Sequence, residues 1–283
     1  MSISHVTKFK RGMGGIYGKK ERYGCLQFLY IYFGFFQLLF SKACYPVSVE
    51  QNEKGCDEVF MDYRHEWKHE ITGSDMIAIR QRLRAVAKPD AHGADGRYFI
   101  RSLYFDDPTD TALREKVNGV NRREKFRIRY YDRDTSLIHL EKKSKWNGLG
   151  QKQSAGLTAA EAQAIVDGRL DQLPRGLHPL VWELCYKMRT RLLRPRTIVD
   201  YTREAYVFAP GNVRVTLDFD IRTGLDCTDF LNADCVTVPA GNAPIILEVK
   251  WDAFLPDIIR DAVQLEGRHS AAFSKYAACR VYG

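Results

Sequence analysis

No two cysteines in this sequence are spaced for a metal or a redox motif. The seven, Cys25, Cys44, Cys56, Cys185, Cys227, Cys235 and Cys279, form no CxxC and no zinc-like pairing with histidine. An odd, scattered set reads as free thiols in a reducing compartment. The expected location is therefore cytoplasmic, with the inner face of the membrane as the alternative that the N-terminus raises. There is no internal repeat and no low-complexity tract, which argues against a solenoid or a disordered tail. The one long apolar run, Cys25–Phe40, has 16 residues and falls short of the ~20 that comfortably span a bilayer. Carboxylates are the scarcer charge: 35 Asp and Glu face 43 Lys and Arg, a formal net charge of +8. That balance favours anionic partners, whether nucleic acid, phosphorylated small molecules or a membrane surface.

What is present is ordinary globular composition, 45% hydrophobic and 28% charged, in a chain long enough for a real core. Residues 1–60 stand apart as an N-terminal extension. A basic, polar stretch precedes the apolar run 25–40, and residues 45–60 resemble a linker. The segment reads as a membrane anchor, a cleaved signal or an extension from a mis-called start. An organised pattern fills 61–283.

From Tyr63 onward, period-2 stretches alternate with capped helices. Strands are expected at 63–71, 97–106, 124–131, 136–145, 196–208, 213–221 and 244–251, with a short Gly-flanked segment holding Lys152. Ser74 is expected to cap a helix to Ala87, Asp110 another to Asn118, and Thr158–Glu161 forms a capping box. A further helix is expected over 179–193, ended by Pro195. This is an α+β protein whose eight or so strands form a closed antiparallel β-barrel, a tunnel with short helices around it.

The strands carry their charges on single faces. Lys125, Arg127 and Arg129 alternate with Phe126, Ile128 and Tyr130. Glu141 and Lys143 oppose Leu140 and Lys142. Arg214, Thr216 and Asp218 alternate with Val213, Val215 and Leu217. Glu248 and Lys250 alternate with Leu247, Val249 and Trp251, and Tyr201 shares a face with Arg203. For one strand this pattern fits a half-exposed sheet. Taken together, and with helices needing an apolar face to cover, the cations are expected inside. An interior so lined is tolerable only with water and bound polyanion. Arg supplies bidentate phosphate contacts and Lys compact charge. Glu66, Glu141, Asp218 and Glu248 either pair with the cations or hold Mg²⁺ or Mn²⁺, and Glu248 is the favoured metal ligand. His65, His69 and His139 are assigned to outer faces. Cations and aromatics on opposite sides of the strands argue against nucleic acid.

These residues resemble the VTC polyphosphate polymerase domain of the triphosphate tunnel metalloenzymes. The resemblance runs over about 60–280 through E-x-K at Glu66–Lys68, S-x-Y-F-D at Ser102–Asp106, K-x-R-x-R at Lys125–Arg129 and E-x-K at Glu141–Lys143. It continues through Y-x-R-x-A at Tyr201–Ala205, V-R-x-x-x-D at Val213–Asp218, L-E-V-K at Leu247–Lys250 and F-S-K-Y at Phe273–Tyr276. It implies an eight-stranded tunnel, and phosphate contacts from Lys68, Arg127, Arg129, Lys143, Lys152, Arg203, Arg214 and Lys275 near Tyr201. Lys125, Lys250 and Ser102 join them as substrate contacts, and Glu248 ligates the metal. The wider superfamily often begins E-x-E-x-K, and here Arg64 takes the first Glu position.

The implied activity is transfer of a nucleoside triphosphate's γ-phosphoryl to a growing inorganic polyphosphate chain, with Mn²⁺ or Mg²⁺. Positioning and charge do most of that work, and no general base is required. Hydrolysis of a triphosphate is the enzyme alternative, with Glu66 or Glu141 placing a water. A non-catalytic polyphosphate- or nucleotide-binding module is the third reading. A membrane-protein partner and the oligomeric state stay open.

Overall fold

The computed structural model describes residues 64–93, 96–147, 149–242, 244–265, 267 and 272–281, all within the unit Val59–Gly283. The N-terminal extension and its apolar run lie outside the described residues. Among those described, no helix is long and apolar enough to cross a membrane.

Among the described residues, ten strands form one antiparallel sheet. In chain order they are β1 (His65–Ile71), β2 (Lys88–Pro89), β3 (Arg97–Asp106), β4 (Arg123–Tyr131), β5 (Asp134–Trp146), β6 (Leu149–Leu157), β7 (Arg194–Phe208), β8 (Val213–Thr223), β9 (Val238–Pro239) and β10 (Ile245–Trp251). The ladder runs β1-β10-β8-β7-β3-β4-β5-β6, with the two-residue β2 on β7 and β9 on β8. Six α-helices accompany it among the described residues: α1 (Gly73–Val86), α2 (Thr111–Val117), α3 (Ala159–Val166), α4 (Pro179–Thr190), α5 (Asp257–Val263) and α6 (Lys275–Cys279).

The period-2 alternation decides which face the helices cover. Phe126, Ile128, Tyr130, Ile138, Leu140, Ala155 and Leu157 are buried in one core with α3 and α4. Val213, Val215, Leu217, Leu247, Val249 and Trp251 are buried in a second with α1 and α5. Both lie on the outside of the sheet. Lys142 shows the same parity: it leaves the Glu141–Lys143 face and meets Glu183 at 2.5 Å and Glu124 at 3.3 Å beside α4. The charged faces are thereby left on the other side.

The sheet curls. Lys143 on β5 feels the charges of Lys250 and Glu248 on β10, and Lys125 on β4 feels Lys68 on β1, although these strands are far apart in the ladder. The expected barrel is not closed: among the described residues no ladder joins β1 to β6. The structure is a half-barrel.

Several local expectations change. Thr72, not Ser74, caps α1, in a reciprocal box with Asp75. Asp110 sits at the α2 N-cap in a left-handed conformation without a capping bond; its carboxylate pairs with Arg280 at 3.0 Å and Arg196 at 3.2 Å. The α2 amides of Ala112 and Leu113 donate instead to Asp106. The segment holding Lys152 is a full strand, because β5 pairs with it from Ile138 to Trp146. Helix α4 ends at Thr190, and Pro195 lies inside β7, where the β3–β7 register shifts.

Candidate functional site

Every charged or hydroxyl residue expected to meet phosphate lies on the concave face, delivered there by strand parity and cross-strand register. Arg127 is opposite Glu141, Lys125 opposite Lys143, and Lys143 opposite Lys152. Lys68 is opposite Glu248, which is opposite Thr216. Lys275 comes from outside the sheet, on α6.

Most of these cations are paired. Glu141 accepts from Arg127 through Nε at 2.9 Å and Nη2 at 2.8 Å, and from Arg129 Nη2 at 2.6 Å. Its other oxygen meets Lys152 at 2.7 Å. Burial opposes the charge on Glu141, but Arg127 and Arg129 outweigh it and hold the carboxyl far below the usual range. Asp218, fully buried, accepts a bidentate contact from Arg203 at 2.6 and 2.8 Å and faces Lys275 at 2.5 Å. Glu66 and Glu248 form a four-membered ring of charge with two lysines. Lys68 lies 2.7 Å from Glu66 and 3.5 Å from Glu248, and Lys250 reaches both carboxylates. Burial opposes the Glu248 charge, and Lys250 with Lys68 drives its pKa well below the ordinary value.

Lys125 and Lys143 differ. Neither has an ion pair or a hydrogen-bond partner among the described residues; Lys125 sits 5.5 Å from the Tyr104 ring centroid. Burial, then Arg127 and Lys68, lower the Lys125 pKa to about 7. Burial and Lys250 push Lys143 well below its ordinary value. Orphaned polar atoms cluster on the same face: Ser102 Oγ, Thr216 Oγ1, Arg129 Nε and Arg214 Nε are buried without a partner. A buried polar atom left unsatisfied is costly, and it marks a place for water or ligand.

Tyrosines share this face, contrary to the separation of aromatics from cations expected from the alternation. Arg127 donates to the Tyr104 hydroxyl at 2.7 Å and Arg214 to the Tyr98 hydroxyl at 2.8 Å. Arg203 and Lys275 lie 5.6 and 4.8 Å from the Tyr201 ring centroid. Tyr98, Tyr104 and Tyr201 are nevertheless buried, so they anchor cations and offer no open stacking platform. His139 is also on the concave face, in register with Arg129 and edge-on to Tyr131, whereas His65 stacks outside on Trp251. The outer face expected for His139 is corrected by strand parity: His139, Glu141 and Lys143 alternate onto one face.

Three contributors were missed. Lys116 of α2 lies near enough to help lower the Lys125 pKa, and Lys68 in turn helps lower that of Lys116. Asp90 pairs with Arg214 at 2.5 Å. Asp106 accepts from the Tyr276 hydroxyl at 2.8 Å. Of these only Asp106 had a signal, its place in S-x-Y-F-D.

A divalent cation can be tested against the donor set. Among the described residues no three carboxylate, imidazole or thiolate groups converge on one point, so a cage made by protein alone does not fit. Glu141 and Asp218 are each committed to buried cations. Glu248 and Glu66 remain, and one or two carboxylates suffice for Mg²⁺-like ions that keep water and take their other oxygens from phosphate.

The geometry defines a class: an antiparallel half-barrel whose concave face is lined with cations. The VTC domain family matches residues 63–282, and the chain belongs to that family. No curated protein matches it. Among solved structures, a Bacillus halodurans protein described as a candidate adenylate cyclase is 14% identical over 67% of this chain and 80% of its own, with a TM-score of 0.42. The PH1819 protein of Pyrococcus horikoshii is 16% identical over 71% of this chain and 84% of its own, with a TM-score of 0.36. Both are distant likenesses of backbone.

Proposed function

We propose that this domain binds a nucleoside triphosphate and an inorganic polyphosphate end in the concave groove and transfers the γ-phosphoryl between them. The observation that carries the reading is the Lys125–Lys143 pair, directly opposed in the ladder with no carboxylate between them. Burial and neighbouring cations disfavour the ammonium form of both, with Arg127 and Lys68 repelling Lys125 and Lys250 repelling Lys143. A polyphosphate chain removes that repulsion and takes up the orphaned donors around it.

Arg127, Arg129 and Arg203 are held rigid by Glu141 and Asp218, so they meet phosphate without losing rotamer freedom at that moment. Lys68, Lys250 and Lys275, each paired with a carboxylate, add compact charge, and Arg214 and Lys152 extend the grip. Mn²⁺ or Mg²⁺, held by Glu248 with Glu66, would neutralise charge on bridging phosphate oxygens. An acceptor phosphate is already anionic, so the absence of a base poised beside the lysines is no obstacle. Family membership and the faces of the strands support this reading.

The test is the purified full chain with ATP and Mn²⁺ or Mg²⁺, read for acid-labile polymer and for free phosphate. Polymer supports transfer. Phosphate release without polymer moves the assignment to hydrolysis. Tripolyphosphate binding with neither product moves it to a binding module. A folded protein that does none of these overturns the reading.

A further inference from the structure

We propose that Cys227 and Cys235 form a reversible intramolecular disulfide that staples the loop between β8 and β9. Their Sγ atoms lie 2.7 Å apart, closer than unbonded sulfurs rest, and a covalent bond needs them at about 2.05 Å. Both residues are partly exposed, so a small oxidant reaches them. They stand outside the phosphate groove, and the inference does not depend on what the groove does.

The loop is already held in the shape that the bond requires. Gly224 N–H donates to Ile198 O at 2.9 Å, Cys227 N–H to Gly224 O at 2.9 Å and Cys235 N–H to Asn232 O at 3.2 Å. Gly224 allows the close approach: a Cβ there would lie 2.9 Å from the Ile198 Cβ. Between the two thiols, Phe230 is buried against Tyr130 with ring centroids 4.9 Å apart, and the Tyr130 hydroxyl donates to Phe230 O at 3.2 Å. The Asn232 carbonyl accepts from Arg101 at 2.5 Å, and Arg101 is itself paired with Asp200 in the sheet. Closing the bond therefore moves little backbone.

The oxidant is a small-molecule disulfide of the glutathione class. The Cys227 thiolate attacks it, forming a mixed disulfide and releasing one thiol. Cys235 then attacks the Cys227 sulfur, the protein S–S bond forms, and the second thiol leaves. The protein loses two electrons and two protons, and the oxidant is reduced to two thiols. In the reduced protein, burial and the Cys227 sulfur push the Cys235 thiol up to about 12, so Cys227 makes the first attack and Cys235 the second. The same bond is reopened by excess thiol.

The sequence from Thr223 to Lys250 holds both cysteines, no other cysteine and no internal Lys or Arg, so a tryptic digest isolates the pair in one peptide. The full chain would be treated with oxidised glutathione, then alkylated and digested. The expected peptide is lighter than its reduced form by two hydrogens and carries no alkyl group. Its yield should fall on adding reduced glutathione, and the melting midpoint of the oxidised protein should rise by several degrees. Cys227→Ser and Cys235→Ser should each abolish both effects, and Cys185→Ser should leave them intact. Separate alkylation of both sulfurs after oxidation would overturn the proposal, as would a stable mixed disulfide at Cys227 or a bond from either residue to another cysteine.

Discussion

The Tyr276 hydroxyl donates to Asp106 Oδ2 at 2.8 Å, and the two residues are 170 positions apart in the chain. Asp106 also accepts from the α2 amides of Ala112 and Leu113 at 2.9 and 3.0 Å. The Tyr276 ring stacks on Tyr104 at 4.9 Å. One carboxylate therefore locks the end of β3, the start of α2 and the side chain next to Lys275. Two of the sequence motifs, S-x-Y-F-D and F-S-K-Y, are two halves of one clamp that aims Lys275 at Asp218 and the groove.

Tyr276→Phe keeps the ring and removes the hydrogen bond. A buried hydrogen bond to a charged group contributes about 1.5–3 kcal/mol, so the melting midpoint should fall by several degrees. Tripolyphosphate affinity should fall with it, by about 3–10-fold if Lys275 loses most of one charge-assisted contact. Adding Tyr276→Phe to Lys275→Gln should cost little further affinity, because the first change acts through the second residue. Fully additive losses in affinity, measured by calorimetry on folded proteins, would separate the clamp from the lysine.

Lys125 gives a pH dependence whose sign can be worked out. Its folded pKa of about 7 lies below the ordinary 10.5. Between those values the unfolded chain binds the extra proton, so stability rises with pH across the window, and the full penalty is present below pH 7. Lys125→Met should raise the melting midpoint of the ligand-free protein most at pH 6, with the gain vanishing toward pH 10. Bound phosphate stabilises the ammonium, so wild-type protein at pH 8 should take up a proton on binding tripolyphosphate. Calorimetry in buffers of different ionisation enthalpy reads that uptake, and it should shrink in the variant.

Asp90 holds Arg214 at 2.5 Å while accepting from His92 Nδ1 at 2.6 Å. Its backbone N–H is pinned to Ala205 O at 2.9 Å, and Gly96 leaves room for that contact, since a Cβ there would meet Ala205 O at 2.7 Å. Asp90→Asn should loosen Arg214 and lower polyphosphate affinity about 3–10-fold, the size of one weakened charge-assisted contact. Arg214→Gln should set the ceiling. An Asp90→Asn protein binding more tightly than wild type would show that Asp90 acts only by repelling the ligand.

The alternation was enough to place the cations, because each strand repeats with period 2 and its apolar side has helices to bury against. Lys125, Arg127 and Arg129 could be assigned to one face from seven residues of sequence. Closure could not be read that way, since it depends on what lies between β1 and β6, and neither strand records its missing partner. Pairing was equally hidden: nothing local says that Glu141 will meet three cations while Lys143, two residues on, pairs with no carboxylate among the described residues. Cross-strand register decides that, and register comes from turns and bulges such as the shifts between Arg129 and Tyr131 and between Tyr104 and Phe105. His139 was misplaced for a simpler reason, a parity not carried through one strand. Asp90 follows directly on β2 in a loop, outside every strand and helix pattern that the sequence showed.

Glu248→Gln separates the catalytic readings from the binding one. Glu248 is 5% exposed and faces Lys68 and Lys250. Its pKa is held well below 4.5, so its contribution to stability is complete above pH 4.5 and is lost only as pH falls through the depressed folded value. At neutral pH the Gln variant loses that contribution, leaves the two lysines with Glu66 alone, and removes one negative charge from the groove. In metal-free buffer it should therefore melt lower and bind tripolyphosphate as tightly as wild type or more tightly. If Glu248 holds Mn²⁺ or Mg²⁺ for phosphoryl transfer, turnover should drop about 10–100-fold, the usual cost of disturbing a metal site, against that unchanged affinity. A binding module would instead keep its affinity with and without the metal and would have no turnover to lose. Loss of affinity in metal-free buffer would mean that Glu248 serves chiefly to aim Lys68 and Lys250, and the metal assignment would fall.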